Sequence, residues 1–197
     1  MKKLFLLLLV FPFIFGGCSD DDDDDIQLGA EPYFNSSYTR SQVKAKEKRD
    51  LMDEGYGKNG DYMILYEGET KDLEAVVYMF DPDFDFYLYA AVMLYSEASY
   101  STLINHYKGK YGHEEIVGNI SLFYSESVEC FIGVSISEEG YVGVAYLDYA
   151  YFDYIYGDDE DDDDIDIGLE LRSASAKSKI SEQARKCMSK AMQQLKK

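Results

Sequence analysis

The chain has 197 residues, a 46% apolar share and a formal charge of −19 from 19 basic and 38 acidic side chains. That length suits one compact domain with tails, and the charge excludes nucleic acid as a partner, because such binding rests on basic side chains that neutralise phosphates. Three cysteines are too few for a disulfide framework, and two histidines leave little for a histidine metal centre.

Lys2 and Lys3 precede an apolar run from Leu4 to Phe15, broken only by Pro12. The run falls short of the ~20 residues a membrane-spanning helix needs and fits a secretory leader. Gly16 and Gly17 follow, then Cys18, Ser19 and the aspartates Asp20–Asp25. Phe15-Gly16-Gly17-Cys18 resembles the bacterial lipobox, with Phe15 where leucine is usual. Cys-Ser followed by aspartates resembles the surface-export signal of Bacteroidota lipoproteins. The resemblance implies a leader of residues 1–17, cleavage after Gly17, and diacylglycerol and acyl chains on Cys18. It also implies a place on the outer face of the outer membrane, with the bilayer as a partner. Multiple acyl chains hold where a single one anchors marginally.

Residues 18–37 read as an acidic tether, since they hold the aspartates, Gly29, Pro32 and Asn35-Ser36-Ser37 and show no apolar period. A helix is expected from Ser41 to about Glu54, stopped by Gly55 and Gly57. Strands are expected at Tyr62–Tyr66, Leu73–Phe80 and Phe84–Tyr95, where aromatic and β-branched residues lie between Gly, Asp and Pro turns. Tyr100, Leu103, Ile104, Tyr107 and Tyr111 recur at helical spacing before Gly112. Further strands are expected at about Ile116–Tyr124, Val128–Ser137 and Tyr141–Tyr149, with Val128, Cys130, Ile132, Val134 and Ile136 on one face. The element order helix, strand, strand, strand thus occurs twice.

The predicted fold class is α+β: a mainly antiparallel sheet with helices on one face, two helix-strand-strand-strand units and a C-terminal helix. This order resembles the β-lactamase-inhibitor-protein type of fold, in which two helix-plus-strands units share one curved sheet. The domain is expected over 38–156. An acidic linker follows at 157–168. A basic amphipathic helix follows at 169–197, striped by Ile180, Ala184, Cys187, Met188, Ala191, Met192 and Leu195. Such a helix docks on the acidic body or touches lipid; the first is the commoner use of an amphipathic stripe.

No nucleophile elbow and no P-loop occurs. The acidic runs Asp20–Asp25 and Asp158–Asp164 invite a calcium reading, but loops begun at Asp162 and at Asp81 lack the glycine at position six and the glutamate at twelve, which leaves only weak Ca²⁺ binding at the runs. No cofactor beyond the covalent lipid and no metal site is expected from His106, His113, Glu114 and Glu115. Cys130 and Cys187 both read as core-facing, and export permits a bridge between them. The 19 tyrosines are the main functional signal. Simple alternation puts Tyr87, Tyr89 and Tyr95 on one strand face, joined by Glu74 and Tyr78 and by Glu129 and Phe131. If that face is open, it offers large amphipathic rings to a protein or a glycan. If the C-terminal helix covers it, the same rings form a second core. The expectation is a non-catalytic surface-binding lipoprotein. The alternatives are a structural envelope lipoprotein and a glycan hydrolase with paired carboxylates.

Overall fold

The computed structural model describes residues 26–96, 99–137, 140–156 and 174–196. The leader, Cys18 and both acidic runs lie outside the described residues.

The described residues ahead of the first strand contribute to the first face of the sheet. Helix α1 spans Arg40–Lys46 and starts at Thr39, not Ser41. Thr39 and Gln42 form a capping box: Gln42 N–H donates to Thr39 Oγ1 at 3.3 Å, and Thr39 N–H donates to Gln42 Oε1 at 2.8 Å. The expected helix to Glu54 is corrected here. Val43 is the one buried residue of α1, too thin a stripe to carry the helix further. Glu47 leaves it with extended backbone, and Leu51–Tyr56 becomes strand β1.

Strands β2 (Tyr62–Glu67), β3 (Leu73–Asp81) and β4 (Tyr87–Tyr95) complete the first meander. Helix α2 (Tyr100–Tyr111) opens the second half and buries Leu103 and Tyr107. Strands β5 (Glu115–Val117), β6 (Ile120–Ser125), β7 (Cys130–Ile136) and β8 (Val142–Asp148) follow. The run read as one strand at 116–124 is a hairpin, because Gly118 adopts φ 65° and turns the chain between β5 and β6. Helix α3 (Tyr149–Tyr156) is capped by Asp148, whose Oδ1 accepts from Tyr151 N–H at 2.7 Å. Helix α4 covers Ala174–Leu195.

All eight strands form one antiparallel sheet in the order β1-β2-β3-β4-β8-β7-β6-β5. Each half is a helix followed by four strands rather than three, and the strand missed in each is the edge strand. The two meanders meet at β4 and β8, where Ala90 pairs with Leu147 and Tyr95 with Val142.

The sheet is covered on both sides, so helices on one face describes only part of the molecule. The first face carries Val43 of α1 and Leu103 and Tyr107 of α2, with Ile64, Tyr78, Met93, Ile132 and Tyr146. The second face carries Ile180, Ala184, Cys187, Met188 and Ala191 of α4, with Val77, Ala90, Val92, Phe131 and Ala145. Alternation along the strands explains the division. Small residues let α4 approach closely. A Cβ at Gly133 would lie 2.9 Å from Ala184 Cβ, and one at Gly143 would lie 2.7 Å from Met188 Sδ.

Residues 26–34, expected to be free tether, lie as a strap on the first face. Leu28 packs on the core and Phe34 is buried.

Candidate binding site at one end of the sheet

Helix α4 closes the face on which an open tyrosine surface was expected. Tyr78 and Tyr95 are buried in the first core, while Tyr89 and Phe131 are buried in the second. Tyr87 and Glu74 are half-buried, and Glu129 alone of the seven is exposed. The assumed alternation fails at two bulges. Met79 pairs with Ala90 and Phe80 with Leu88, so Tyr89 is the extra residue and both Tyr89 and Ala90 face α4. Every residue beyond this point changes face, which sends Tyr95 to the opposite side. A second register shift falls at Glu74, between Leu73 and Ala75.

The same geometry excludes the Cys130–Cys187 bridge. Cys130 points into the first core and Cys187 into the second, with the sheet between them, and both are free thiols. Burial pushes the Cys187 thiol up to about 12 and the Cys130 thiol higher still.

The buried tyrosines are structural anchors. Burial raises the Tyr89 phenol well above its ordinary value, with the Asp61 carboxylate adding to the effect. Tyr89 and Tyr87 stack on Tyr151 of α3 at 4.8 and 5.9 Å. Tyr87 O–H donates to Asp148 Oδ1 at 2.8 Å, and Tyr151 O–H donates to Asp81 Oδ2 at 2.5 Å. On the first face, Tyr78 O–H donates to Glu47 Oε2 at 2.6 Å, and Arg49 Nη1 reaches both Glu47 oxygens at 2.9 Å. The Arg49 and Glu47 side chains are 2% and 1% exposed, so this is a buried, doubly bonded ion pair. Burial and the Glu47 charge push the Tyr78 phenol far up.

Basic residues of α4 tie it to the body at three points, with Arg185 Nη2 donating to Asn119 Oδ1 at 2.9 Å and two lysines in ion pairs. Lys190 pairs with Asp61 at 2.6 Å and Lys177 with Glu115 at 2.8 Å. The apolar stripe of this helix, Ile180, Ala184, Cys187, Met188 and Ala191, is seated on the sheet. His106 lies 3.4 Å from Glu31. Among the described residues no three His, Cys, Asp or Glu side chains converge as a metal site requires, and no helix is long and apolar enough to cross a membrane.

The surface that remains distinctive is one end of the sheet. It carries the β1–β2 turn (57–61), the β3–β4 connection with a 3₁₀ turn at Pro82–Phe84, the β6–β7 turn (126–129) and the start of α3. Among the described residues, three non-glycines have left-handed backbone: Asp85 at φ 53°, Phe86 at φ 58° and Glu129 at φ 45°. All three lie at this end. For a ring as bulky as Phe86 the conformation is an outlier, at a cost of about 1–3 kcal/mol. Its partners are visible: Phe86 meets the Tyr62 ring edge-on at 5.7 Å, and the Arg40 guanidinium lies 3.6 Å over its ring. Tyr56 meets Tyr62 edge-on at 5.3 Å, and Phe84 meets Tyr151 edge-on at 6.1 Å. Tyr56 is 60% exposed and Phe84 41%. Asp83 and Asp85 stand exposed beside them.

The rim therefore presents two open rings: Tyr56, propped on the Tyr62 ring of the first face, and Phe84, propped on Tyr151 of the second face and flanked in sequence by exposed carboxylates. Aromatic faces bind apolar patches or the C–H faces of sugars, and carboxylates accept hydrogen bonds from hydroxyls or amides. Of the residues singled out in the sequence, Glu129 lies exposed at this end and Tyr87 is half-buried there, stacked on Tyr151. Tyr56 fell between Gly55 and Gly57, the expected stop of a helix, and so carried no strand or surface signal. Asp81-Pro82-Asp83 was read as a turn, which marked the place without marking its role.

No family model matches the chain, and no curated protein or solved structure matches it either.

Proposed function

We propose that the chain is a lipid-anchored protein of the outer-membrane surface, and that its domain binds a protein or glycan ligand without catalysis. The leader, Cys18 and Asp20–Asp25 support the anchor. Two helix-plus-strands units sharing one sheet support the resemblance to the β-lactamase-inhibitor-protein type of fold. The observation that carries the binding reading is that Tyr56 and Phe84, both open, and three left-handed non-glycine residues all fall at a single end of the sheet. Strained backbone persists where the surroundings enforce it, and such positions concentrate at recognition sites. The rings stand on packed partners, so little side-chain entropy is lost on binding.

The test starts from ligand identification with the full chain on glycan arrays and against intact cells. The Tyr56→Ala/Phe84→Ala variant is then compared with wild type. At least tenfold weaker binding, with an unchanged urea midpoint, is expected. Wild-type affinity in that variant would move the site elsewhere.

A further inference from the structure

We infer that the N-terminal strap fixes the orientation of the domain on the bilayer: the end with the β2–β3 turn faces the lipid headgroups, and the aromatic rim points away. The inference rests on the lipid anchor proposed above and adds which surface meets the membrane.

The strap enters at the β2–β3 turn. Gln27 N–H donates to Asp72 Oδ2 at 2.7 Å, and Thr70 O–H donates to the Gln27 carbonyl at 2.6 Å. Tyr95 O–H, at the same end of β4, donates to the Leu28 carbonyl at 2.7 Å. Ala30 N–H then bonds Glu69, and Arg49 Nη2 donates to the Ala30 carbonyl at 2.5 Å. Glu31 pairs with Lys110 of α2 at 2.6 Å and accepts from Tyr111 O–H at 3.1 Å. Tyr33 N–H donates to Tyr78 Oη at 2.9 Å, and Phe34 sits 6.2 Å from the Tyr146 ring. Peeling the strap away would expose Phe34 and take the Ala30 carbonyl from the buried Arg49.

Reach then bears on the orientation. Nine residue steps join Cys18 to Gln27, and at 3.3–3.6 Å per residue they span at most about 32 Å. Strands β3 and β4 have nine residues each, which makes the sheet about 27 Å long. With the rim against the bilayer, nearly all of that reach would be used in running the length of the sheet from strap entry to headgroups. With the β2–β3 turn against the bilayer, the connection is short and the rim is presented outward.

The acylated full chain is placed in vesicles that contain headgroup-labelled acceptor lipid. Single cysteines carry the donor dye: Lys71→Cys and Ile136→Cys near the strap entry, and Lys58→Cys and Asp83→Cys at the rim. The native Cys130 and Cys187 are buried and stay unlabelled. Energy transfer at least twofold more efficient at the first pair is expected. Equal transfer, or more at the rim, overturns the inference. Inserting twenty Gly/Ser residues between Asp25 and Ile26 should erase the difference; a difference that survives shows that the short connection does not set the orientation. Intact mass separates the two levels. Acyl mass with uniform transfer defeats the orientation alone, whereas a chain without acyl mass defeats the anchor and this inference with it.

Discussion

The two faces of the sheet are closed by different physics. The first is covered piecemeal by the strap, α1 and α2, and polar groups are buried between them: the Glu47–Arg49 pair, the Tyr78 hydroxyl and the Tyr107–Tyr146 hydroxyl contact at 2.8 Å. The second is covered by α4, seated on Gly133, Gly143 and small side chains. Short segments cannot each bring a wide apolar stripe, so the first face relies on directed bonds among them. A 22-residue helix brings its own stripe and needs only a surface smooth enough to receive it.

Breaking the directed bonds should have the largest effect. Arg49→Met leaves Glu47 buried and charged with its cation gone, at a cost of about 3–5 kcal/mol. Glu47→Leu/Arg49→Met should be more stable than Arg49→Met alone, since an apolar pair leaves no stranded charge. Urea unfolding measures both, and an additive double variant would deny the coupling. On the second face, Gly133→Val should cost about 1–3 kcal/mol by overpacking against Ala184. Repacking, not charge, is at issue there, so salt should leave that loss unchanged. The smallest effect is alkaline. Burial, with the Glu47 and Glu54 charges, pushes the Tyr66 phenol up to about 12. Below pH 10 both folded and unfolded chains keep its proton. Between pH 10 and about 12 the unfolded chain releases it first, so stability falls as pH rises. Tyr66→Phe should flatten that fall in a series of urea midpoints, and an equal slope in both proteins would count against the assignment.

Much of this contrast was legible from residue spacing. The stripe from Ile180 to Ala191 marked α4, and Leu103 with Tyr107 marked α2, because burial imposes its period directly on a helix. The central strands were legible for their aromatic and β-branched content. The edge strands were not: β1 is almost wholly exposed, so no alternation is imposed on it, and Leu51 and Met52 read as well for a helix. The candidate site was the least legible. One extra residue at Tyr89 reverses the facing of everything after it, and a bulge leaves no composition signal. Whether the tyrosines formed a surface or a core depended on where α4 docks, a contact between parts of the chain separated by roughly a hundred positions.

The junction of the two meanders carries a consequence for how the molecule is made. Each meander pairs neighbours in sequence, but the middle of the sheet is sealed only when β8 reaches β4. Until residues 142–148 have been delivered, the Ala90–Leu94 stretch of β4 stands as an unguarded border, rich in apolar side chains and able to join the wrong strand. A chain still being made is therefore most prone to mispairing after the first half has collapsed and before the second has arrived, and slow synthesis at that stage should show itself as aggregation of otherwise normal protein.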